Sequence, residues 1–289
     1  MYRIVKKENL VEGISRFDIK APLIASKAKA GQFVVVRLNE EGERIPLTIA
    51  ESRPEQGIIS LVSMKVGKTT YMLSNLNQGD NILDVVGPLG KKSEIKKFGR
   101  VICIGGGAGI APVMPIAREL KKAGNYIVSI VGAKSKDLLI FVKEMKDTSD
   151  EFYVCSDDGT IGFHGFVSDF LCEFLERNKD SKDGNIKASI DRVVAIGPAL
   201  MMRAVSDVTG GYGIKTIVSL NSIMVDGTGM CGTCRVEVGG ETKFVCVDGP
   251  EFDGHKVNFD LLISRQRMYY SEEKKSLDLY KEKCKSKKM

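Results

Sequence analysis

Asp226-Gly-Thr-Gly-Met-Cys231-Gly-Thr-Cys234, followed by Cys246, is the stretch whose residue types and spacing bear most directly on chemistry. As spacing it reads D-x4-C-x2-C-x11-C, the C-x4-C-x2-C…C ladder of two-iron, two-sulfur clusters with an aspartate in the first rung. Ligands this close need small residues between them, because the backbone must wrap the cluster and aim its amides at the sulfurs. Gly227, Gly229 and Gly232 provide that. Three thiolates and one further ligand would also serve a structural zinc ion, but zinc sites usually bring two C-x2-C pairs, and here Cys246 stands alone. Asp226 is either a ligand, harder than thiolate and protonatable, or the cap of a turn, with a backbone or solvent group completing the site.

A second stretch, Val101-Ile-Cys-Ile104-Gly105-Gly106-Gly107-Ala108-Gly109-Ile-Ala-Pro112, runs a hydrophobic strand through a glycine-rich turn into a helix. Free amides and the helix dipole favour a phosphate there, and Pro112 suits a first helical turn, where its missing N–H is no loss. The G-x-G-x-x-P spacing lacks the third glycine of the dinucleotide fingerprint, and the next β-type run ends in Lys134 rather than an acidic residue. A plain strand-to-helix turn fits these residues equally well. Upstream, Arg44-Ile45-Pro46-Leu47-Thr48, Lys65-Val66-Gly67-Lys68-Thr69-Thr70 and Gly87-Pro88-Leu89-Gly90 offer a hydroxyl, a fixed proline and amide-rich turns. Such groups hold a flat ring and a pyrophosphate, or else form barrel corners and hairpin turns. Asp157-Asp158-Gly159-Thr160 and Gly197-Pro198-Ala199-Leu200-Met201 both follow β-type runs, which puts them at the carboxyl ends of a sheet, where open α/β sheets bind ligands. His164 is given no catalytic role, and no side chain is expected to act as acid, base or nucleophile.

The elements that must position these groups read in four parts. Residues 1–98 hold short β-type runs separated by Gly, Pro and Asn turns, which predicts an antiparallel β-barrel. Residues 99–218 alternate β-type runs (101–104, 127–131, 193–196) with helical ones (111–123, 165–177, 198–208), the pattern of an α/β parallel-sheet domain. Its Lys- and Asp-rich stretch 178–185 reads as an exposed loop. Residues 219–258 form a small Gly- and Cys-rich C-terminal subdomain, and 259–289 a basic helical tail.

Composition narrows the function classes. With 43% hydrophobic and 28% charged residues the chain is neither collagen-like nor wholly disordered. No apolar run reaches the roughly 20 residues of a membrane helix, and the N-terminus lacks the apolar core of a secretory signal. A cytoplasmic protein without a membrane partner is expected. Much of the formal charge of +6 comes from Lys281, Lys283, Lys285, Lys287 and Lys288. The tail has no interleaved aromatic stacking platform and the chain no Trp, so a solvated helix is expected rather than a nucleic-acid surface.

In this order, a barrel with R-x-P-L-T and V-G-x-x-T, a G-G-G-x-G-I-A-P nucleotide domain with G-P-x-L-M-M, and a C-terminal ladder resemble the ferredoxin-NADP reductase superfamily over roughly residues 1–262. Within it the chain looks like the branch of dihydroorotate dehydrogenase electron-transfer subunits. The Asp-plus-three-Cys ladder is most similar to the small subunits of NADH-dependent reduced ferredoxin:NADP oxidoreductases. The resemblance implies that Pro46, Leu47 and Thr48 flank the FAD isoalloxazine, Thr48 near its reactive nitrogen, and that Gly67, Lys68, Thr69 and Thr70 hold the pyrophosphate. Lys65 and Arg44 join the flavin site, Arg44 standing one residue further from the hydroxyl than the superfamily's arginine. Gly105, Gly107, Gly109, Asp157, Gly197 and Met201 fall where the family binds NAD(H), with NADP(H) the alternative that Lys134 favours. Asp226, Cys231, Cys234 and Cys246 take the 2Fe-2S cluster.

The implied activity is that of an oxidoreductase subunit. A nicotinamide exchanges hydride, a two-iron cluster takes single electrons, and a flavin does both. The implied partner is a larger flavin and iron-sulfur subunit resembling the glutamate synthase small chain, with ferredoxin reached through it, in flavin-based electron bifurcation. The dihydroorotate dehydrogenase accessory role is one alternative, opposed by the aspartate in the first rung. A non-catalytic zinc-binding regulatory module is another, and it leaves the upstream nucleotide-type stretches unexplained.

Overall fold

The computed structural model describes residues 1–178 and 190–286. Most of the expected 178–185 loop, and the tail residues Lys287 and Lys288, lie outside the described residues. Strands β1 (Tyr2–Val11), β2 (Ile14–Lys20), β3 (Phe33–Arg37), β4 (Arg44–Arg53), β5 (Ile58–Met64), β6 (Asn81–Ile82) and β7 (Asp84–Leu89) form one antiparallel sheet in the order β6-β1-β2-β5-β4-β3-β7. The two edge strands are consecutive in the chain with only Leu83 between them, so the sheet curls until its edges nearly meet, as a barrel. Short helix α1 (Pro22–Ala25) follows β2, and α2 (Lys68–Asn75) lies between β5 and β6. The period of two divides the strands: Val34 and Val36 of β3 point into the barrel core with Phe17, Ile19, Ile59 and Leu61, while Phe33 and Val35 point outward into a second core.

Gly87 and Pro88, expected in a turn, lie instead inside β7. The missing Pro N–H is tolerated because β7 is an edge strand and its ladder with β3 shifts register between Phe33 and Val35.

The next elements are β8 (Arg100–Gly106), α3 (Ile110–Lys122), β9 (Tyr126–Ala133), α4 (Val142–Thr148), β10 (Glu151–Ser156), β11 (Phe163–His164), α5 (Val167–Arg177), β12 (Ile190–Ile196), α6 (Ala199–Gly210) and β13 (Thr216–Ser219). Their strands are parallel in the order β11-β10-β9-β8-β12-β13. Helices α3 and α4 cover one face, α5 and α6 the other. Burial on both faces is why β8 and β9 read as unbroken Val and Ile runs rather than alternating ones. From β8 the chain steps outward to β9 and β10, then returns to β12 on β8's other side, so the carboxyl ends of β8 and β12 form the switch point of the sheet.

The remaining elements are β14 (Arg235–Val238), β15 (Glu241–Phe244), α7 (Val245–Asp248), β16 (Glu251–Asp253), α8 (Phe259–Gln266) and α9 (Tyr270–Ser286). Strands β14 and β15 are joined by Gly239 and Gly240, with φ of 63° and 78°, the left-handed pair a tight hairpin turn requires. Strand β16 pairs antiparallel with β13 and extends the parallel sheet. One apolar core therefore includes Phe33 and Val35 of the barrel, Ile102 and Val193 of the parallel sheet, and Cys234, Val245 and Cys246 of the ladder region.

A polar network braces the barrel against α3. Asp18 accepts from Ser60 Oγ at 2.6 Å and pairs with Arg53 at 2.5 Å and Arg16 at 3.1 Å. Glu51 pairs with Arg16 and, at 3.7 Å, with Arg118 of α3. Burial by itself would raise the Asp18 carboxyl, but donation from Ser60 and the two guanidinium groups outweighs it and holds the group below the ordinary carboxylate range. A lowered carboxyl stabilises the fold above its unfolded pKa and loses that contribution as pH falls through the folded value. Asp18→Asn should cost roughly 2 kcal/mol at neutral pH, less than a fully buried broken pair because both guanidinium groups keep access to water. Urea melts of the two proteins should differ at pH 7 and converge as the pH falls below the ordinary carboxylate range; a difference that persists in strong acid would show that charge pairing is not its source.

Candidate functional site

The structure gathers the ladder into two pairs. Cys234 and Cys246 are buried with their sulfurs 3.2 Å apart. Asp226 and Cys231 are joined through the Cys231 amide, which donates to Asp226 Oδ2 at 2.9 Å. Among the described residues no three His, Cys, Asp or Glu groups converge on a single point. Two pairs of donors match a two-iron centre, in which each iron takes two protein ligands.

The loop between the pairs turns through Gly227, Gly229 and Gly232, all at positive φ. It aims donors at sulfur: the Gly229 amide donates to Cys246, and the Thr233 hydroxyl and amide donate to Cys231. Thr233 donation lowers the exposed Cys231 thiol, whereas burial and then the Cys234 neighbour push Cys246 up to about 12. Donors directed at sulfur are what a thiolate-bound cluster needs, so these residues fit an iron-sulfur group.

Asp226 caps this loop. Its Oδ1 accepts from the Thr228 amide at 3.0 Å, and its Oδ2 from Met230 and Cys231 at 3.1 and 2.9 Å. The Thr228 amide first, with the Cys231 and Met230 amides, holds the carboxyl below its ordinary value. Oδ2 has both acceptor positions filled and Oδ1 keeps one, so capping and ligation are compatible through Oδ1 alone.

The ladder loop rests on the outer face of the barrel. A Cβ on Gly227 would lie 2.8 Å from Leu89 and 2.9 Å from Val35, so only glycine lets the backbone approach this closely. On β4, Pro46 pairs with Val35 and Thr48 with Phe33, and directly opposed residues share a face. Pro46 and Thr48 therefore face outward beside the ladder loop. Arg44, four residues before Thr48, shares their phase, is exposed, and has no ion pair among the described residues. Ile45 and Leu47 point the other way and pack against the barrel core, so Leu47 offers this face its backbone only.

Helix α2 starts beside the same barrel. Thr70 Oγ1 accepts from the Gly67 amide at 2.9 Å and the Val66 amide at 3.1 Å, which fixes the first turn. Thr69 is buried and donates to Glu43 at 2.9 Å. Both hydroxyls are thus occupied locally, and the groups left for a ligand are the first-turn amides that no helix can satisfy internally and the ammonium of Lys68. Lys65 Nζ sits 4.0 Å from the centre of the Tyr71 ring.

At the switch point Gly105 and Gly109 are pressed against neighbouring backbone, and Gly106 and Gly197 against the flexible Met201 side chain. A Cβ on Gly109 would lie 2.2 Å from the Ile196 carbonyl oxygen, one on Gly105 2.8 Å from Ile110 Cα, and one on Gly106 2.3 Å from Met201 Sδ. Gly197 is pressed likewise against Met201, at 2.7 Å. Gly107 differs: its φ is +54° and nothing lies within 4 Å of its Cβ position, so it alone in this turn borders open space. Asp157 stands at the end of β10, exposed, its amide bonded to Ala133 O at the end of β9. The two buried cysteines of the sheet, Cys103 and Cys155, are pushed up to about 12 by burial, which leaves them unsuited to nucleophilic chemistry.

Sequence reasoning passed over Val35, which with Leu89 seats the ladder loop. Nothing local marks Val35, because it reads as an ordinary strand residue.

Comparisons with known proteins agree with this arrangement. The iron-sulfur cluster binding domain of dihydroorotate dehydrogenase B matches residues 221–258. A Thermotoga maritima protein named as a homologue of the dihydroorotate dehydrogenase B (NAD+) electron transfer subunit is 47% identical over 277 residues, covering 96% of this chain and 94% of its own. A chain in the solved structure of the NADH-dependent reduced ferredoxin-NADP oxidoreductase, studied for flavin-based electron bifurcation, superimposes with TM-score 0.88 at 47% identity, over 97% of this chain and 98% of its own. Phthalate dioxygenase reductase shares the fold alone, at TM-score 0.57 and 18% identity over 82% of this chain and 85% of its own. No helix among the described residues is long and apolar enough to cross a membrane. The chain therefore belongs to the family of dihydroorotate dehydrogenase B electron-transfer subunits and their homologues, electron-transfer oxidoreductase chains of ferredoxin-NADP reductase fold with an iron-sulfur binding domain near the C-terminus.

Proposed function

We propose that this chain moves electrons between NAD(H), FAD and a 2Fe-2S cluster, and on to a larger flavin and iron-sulfur subunit, in an assembly of the NADH-dependent reduced ferredoxin-NADP oxidoreductase type. One observation carries the reading: the ladder loop packs through Gly227 onto Val35 and Leu89, on the barrel face that also presents Pro46 and Thr48. When bound, FAD would accept hydride from a nicotinamide and release electrons singly to a two-iron cluster. In this reading residues 1–98 hold FAD, through Arg44, the backbone of Leu47, Pro46 and Thr48 for the ring and Lys65, Gly67 and the first turn of α2 for the phosphates. Residues 99–218 hold the nucleotide, with Gly107 approaching it and Gly105, Gly109, Gly197 and Met201 shaping the turn beneath. Asp157, exposed at the end of β10, borders the same nucleotide. Residues 219–258 hold the cluster.

The edge of the ladder beside Cys231 carries Val225, Met230 and Val247, all exposed. An apolar rim of that kind suits a partner that takes electrons at short range. Relatives at 47% identity carry names of both types, and the aspartate in the first rung of the ladder is what favours a bifurcating partner resembling the glutamate synthase small chain over one that oxidises dihydroorotate. Cytoplasmic residence belongs to the same reading.

Anaerobically purified protein should contain FAD, iron and sulfide, and its visible absorbance should bleach on addition of NADH. A colourless protein ends the proposal. Asp226→Cys should keep the cluster but change its reduction potential and spectra, because a soft ligand replaces a hard one. Unchanged potential and spectra would leave Asp226 with its capping role alone.

A further inference from the structure

The tail is not free in solvent. Helix α9 spans 17 residues, about 25 Å at 1.5 Å per residue, and it packs against α2 of the barrel. Along it Leu277, Tyr280, Lys281 and Cys284 are partly covered while most of their neighbours are exposed, a stripe of helical period. Tyr280 meets Tyr71 edge-on at 6.0 Å between ring centres, and Asn75 at the end of α2 stands beside the Tyr280 hydroxyl. Lys281 Nζ lies 5.7 Å from the Tyr71 ring centre, and Lys65 lies 4.0 Å from the same ring. Neither ammonium has a carboxylate partner among the described residues, and Lys68 has only Glu43 at 3.9 Å. Like charges gathered on one aromatic ring repel unless an anion joins them.

We propose that α9 is part of the FAD site: Lys281 adds a basic group for the pyrophosphate, and the Tyr280–Tyr71 contact holds the first turn of α2 in place to receive it. This rests on reading Gly67 to Thr70 as the pyrophosphate loop. Docking of α9 and binding of FAD are then linked, and each must favour the other by the same factor.

The test is FAD affinity of the flavin-stripped, full-length chain, read by flavin fluorescence, together with the rate of tryptic cleavage within α9. Lys281→Ala and Tyr280→Ala should each weaken FAD binding about tenfold, the scale of a lost aromatic or cation contact near a charged ligand, with iron and sulfide content unchanged. Lys283→Ala, on the exposed side of the helix, should bind FAD as the parent does. Adding FAD to the parent should slow cleavage of α9, and this protection should be lost in Tyr280→Ala. Wild-type affinity in Lys281→Ala and Tyr280→Ala, while Lys68→Ala weakens binding, would overturn the role of α9 and leave the loop assignment standing. Wild-type affinity in all three would overturn both.

Discussion

Cys246→Ser should strip the chain of its iron and sulfide while leaving the flavin bound. Cys246 is buried with its sulfur 3.2 Å from Cys234 and takes the Gly229 amide, so in the proposed site it is both a ligand and the anchor of the loop. Loss of a group that merely orients a ligand costs about 10- to 100-fold in metal affinity, and loss of a thiolate ligand should exceed the upper end. Iron and sulfide analysis should fall below a tenth of the parent value, on the same scale. The yellow chromophore should remain and still bleach with NADH, because Pro46, Thr48 and α2 are untouched, but reduction of a one-electron acceptor by way of the cluster should stop. Serine is close to cysteine in size, so the surrounding core of Val236, Val245 and Phe259 should hold its packing. A variant with full iron content and unchanged visible spectra would remove Cys246 from the ladder.

Gly109→Ala should strongly destabilise the parallel-sheet region. Its φ of −65° suits any residue, so backbone strain plays no part. The added carbon would sit 2.2 Å from the Ile196 carbonyl oxygen and 2.8 Å from Gly197 Cα, atoms of a neighbouring backbone that no side-chain rotation can move away. The carboxyl ends of β8 and β12 would have to separate at the switch point. Overpacking of this kind costs about 3 kcal/mol, roughly 10 °C in melting temperature for a chain of this size. Gly107→Ala provides the contrast. It meets open space and faces only the cost of a left-handed φ, about 1 kcal/mol, yet it borders the region proposed for the nucleotide. Thermal melts should therefore rank Gly109→Ala far below Gly107→Ala, whereas the apparent KM for NADH should rise in both. If Gly109→Ala melts with the parent, the close approach of the two turns is not a constraint on the fold.

Much of the arrangement is legible in the residues themselves because it is local. The alternation of β8, α3 and β9 follows from hydrophobic period, and the turn after β8 from its glycines. The ladder follows from four residues at fixed spacing, Asp226, Cys231, Cys234 and Cys246. Two features depend on how strands pair. Gly87-Pro88 reads as a turn from composition, but its place on an edge strand next to a register shift makes a proline acceptable within β7. Leu47 reads as a flavin neighbour from its position in R-x-P-L-T, and the phase of β4 against β3, which turns its side chain into the barrel core, leaves only its backbone for that role.

By itself the sequence determined which local elements form and which chemistry the ladder and the glycine turns are able to do, since these depend on periods of two to four residues and on donor type. The tertiary structure alone decided the rest. It pairs β16 with β13, seats Gly227 on Val35 and Leu89, presses Gly109 against Ile196, and brings α9 back to Tyr71 of α2. Each of these joins residues far apart in the chain. The closeness of such groups depends on how whole faces pack and on the loop-closure entropy overcome in bringing them together, and no local pattern encodes either.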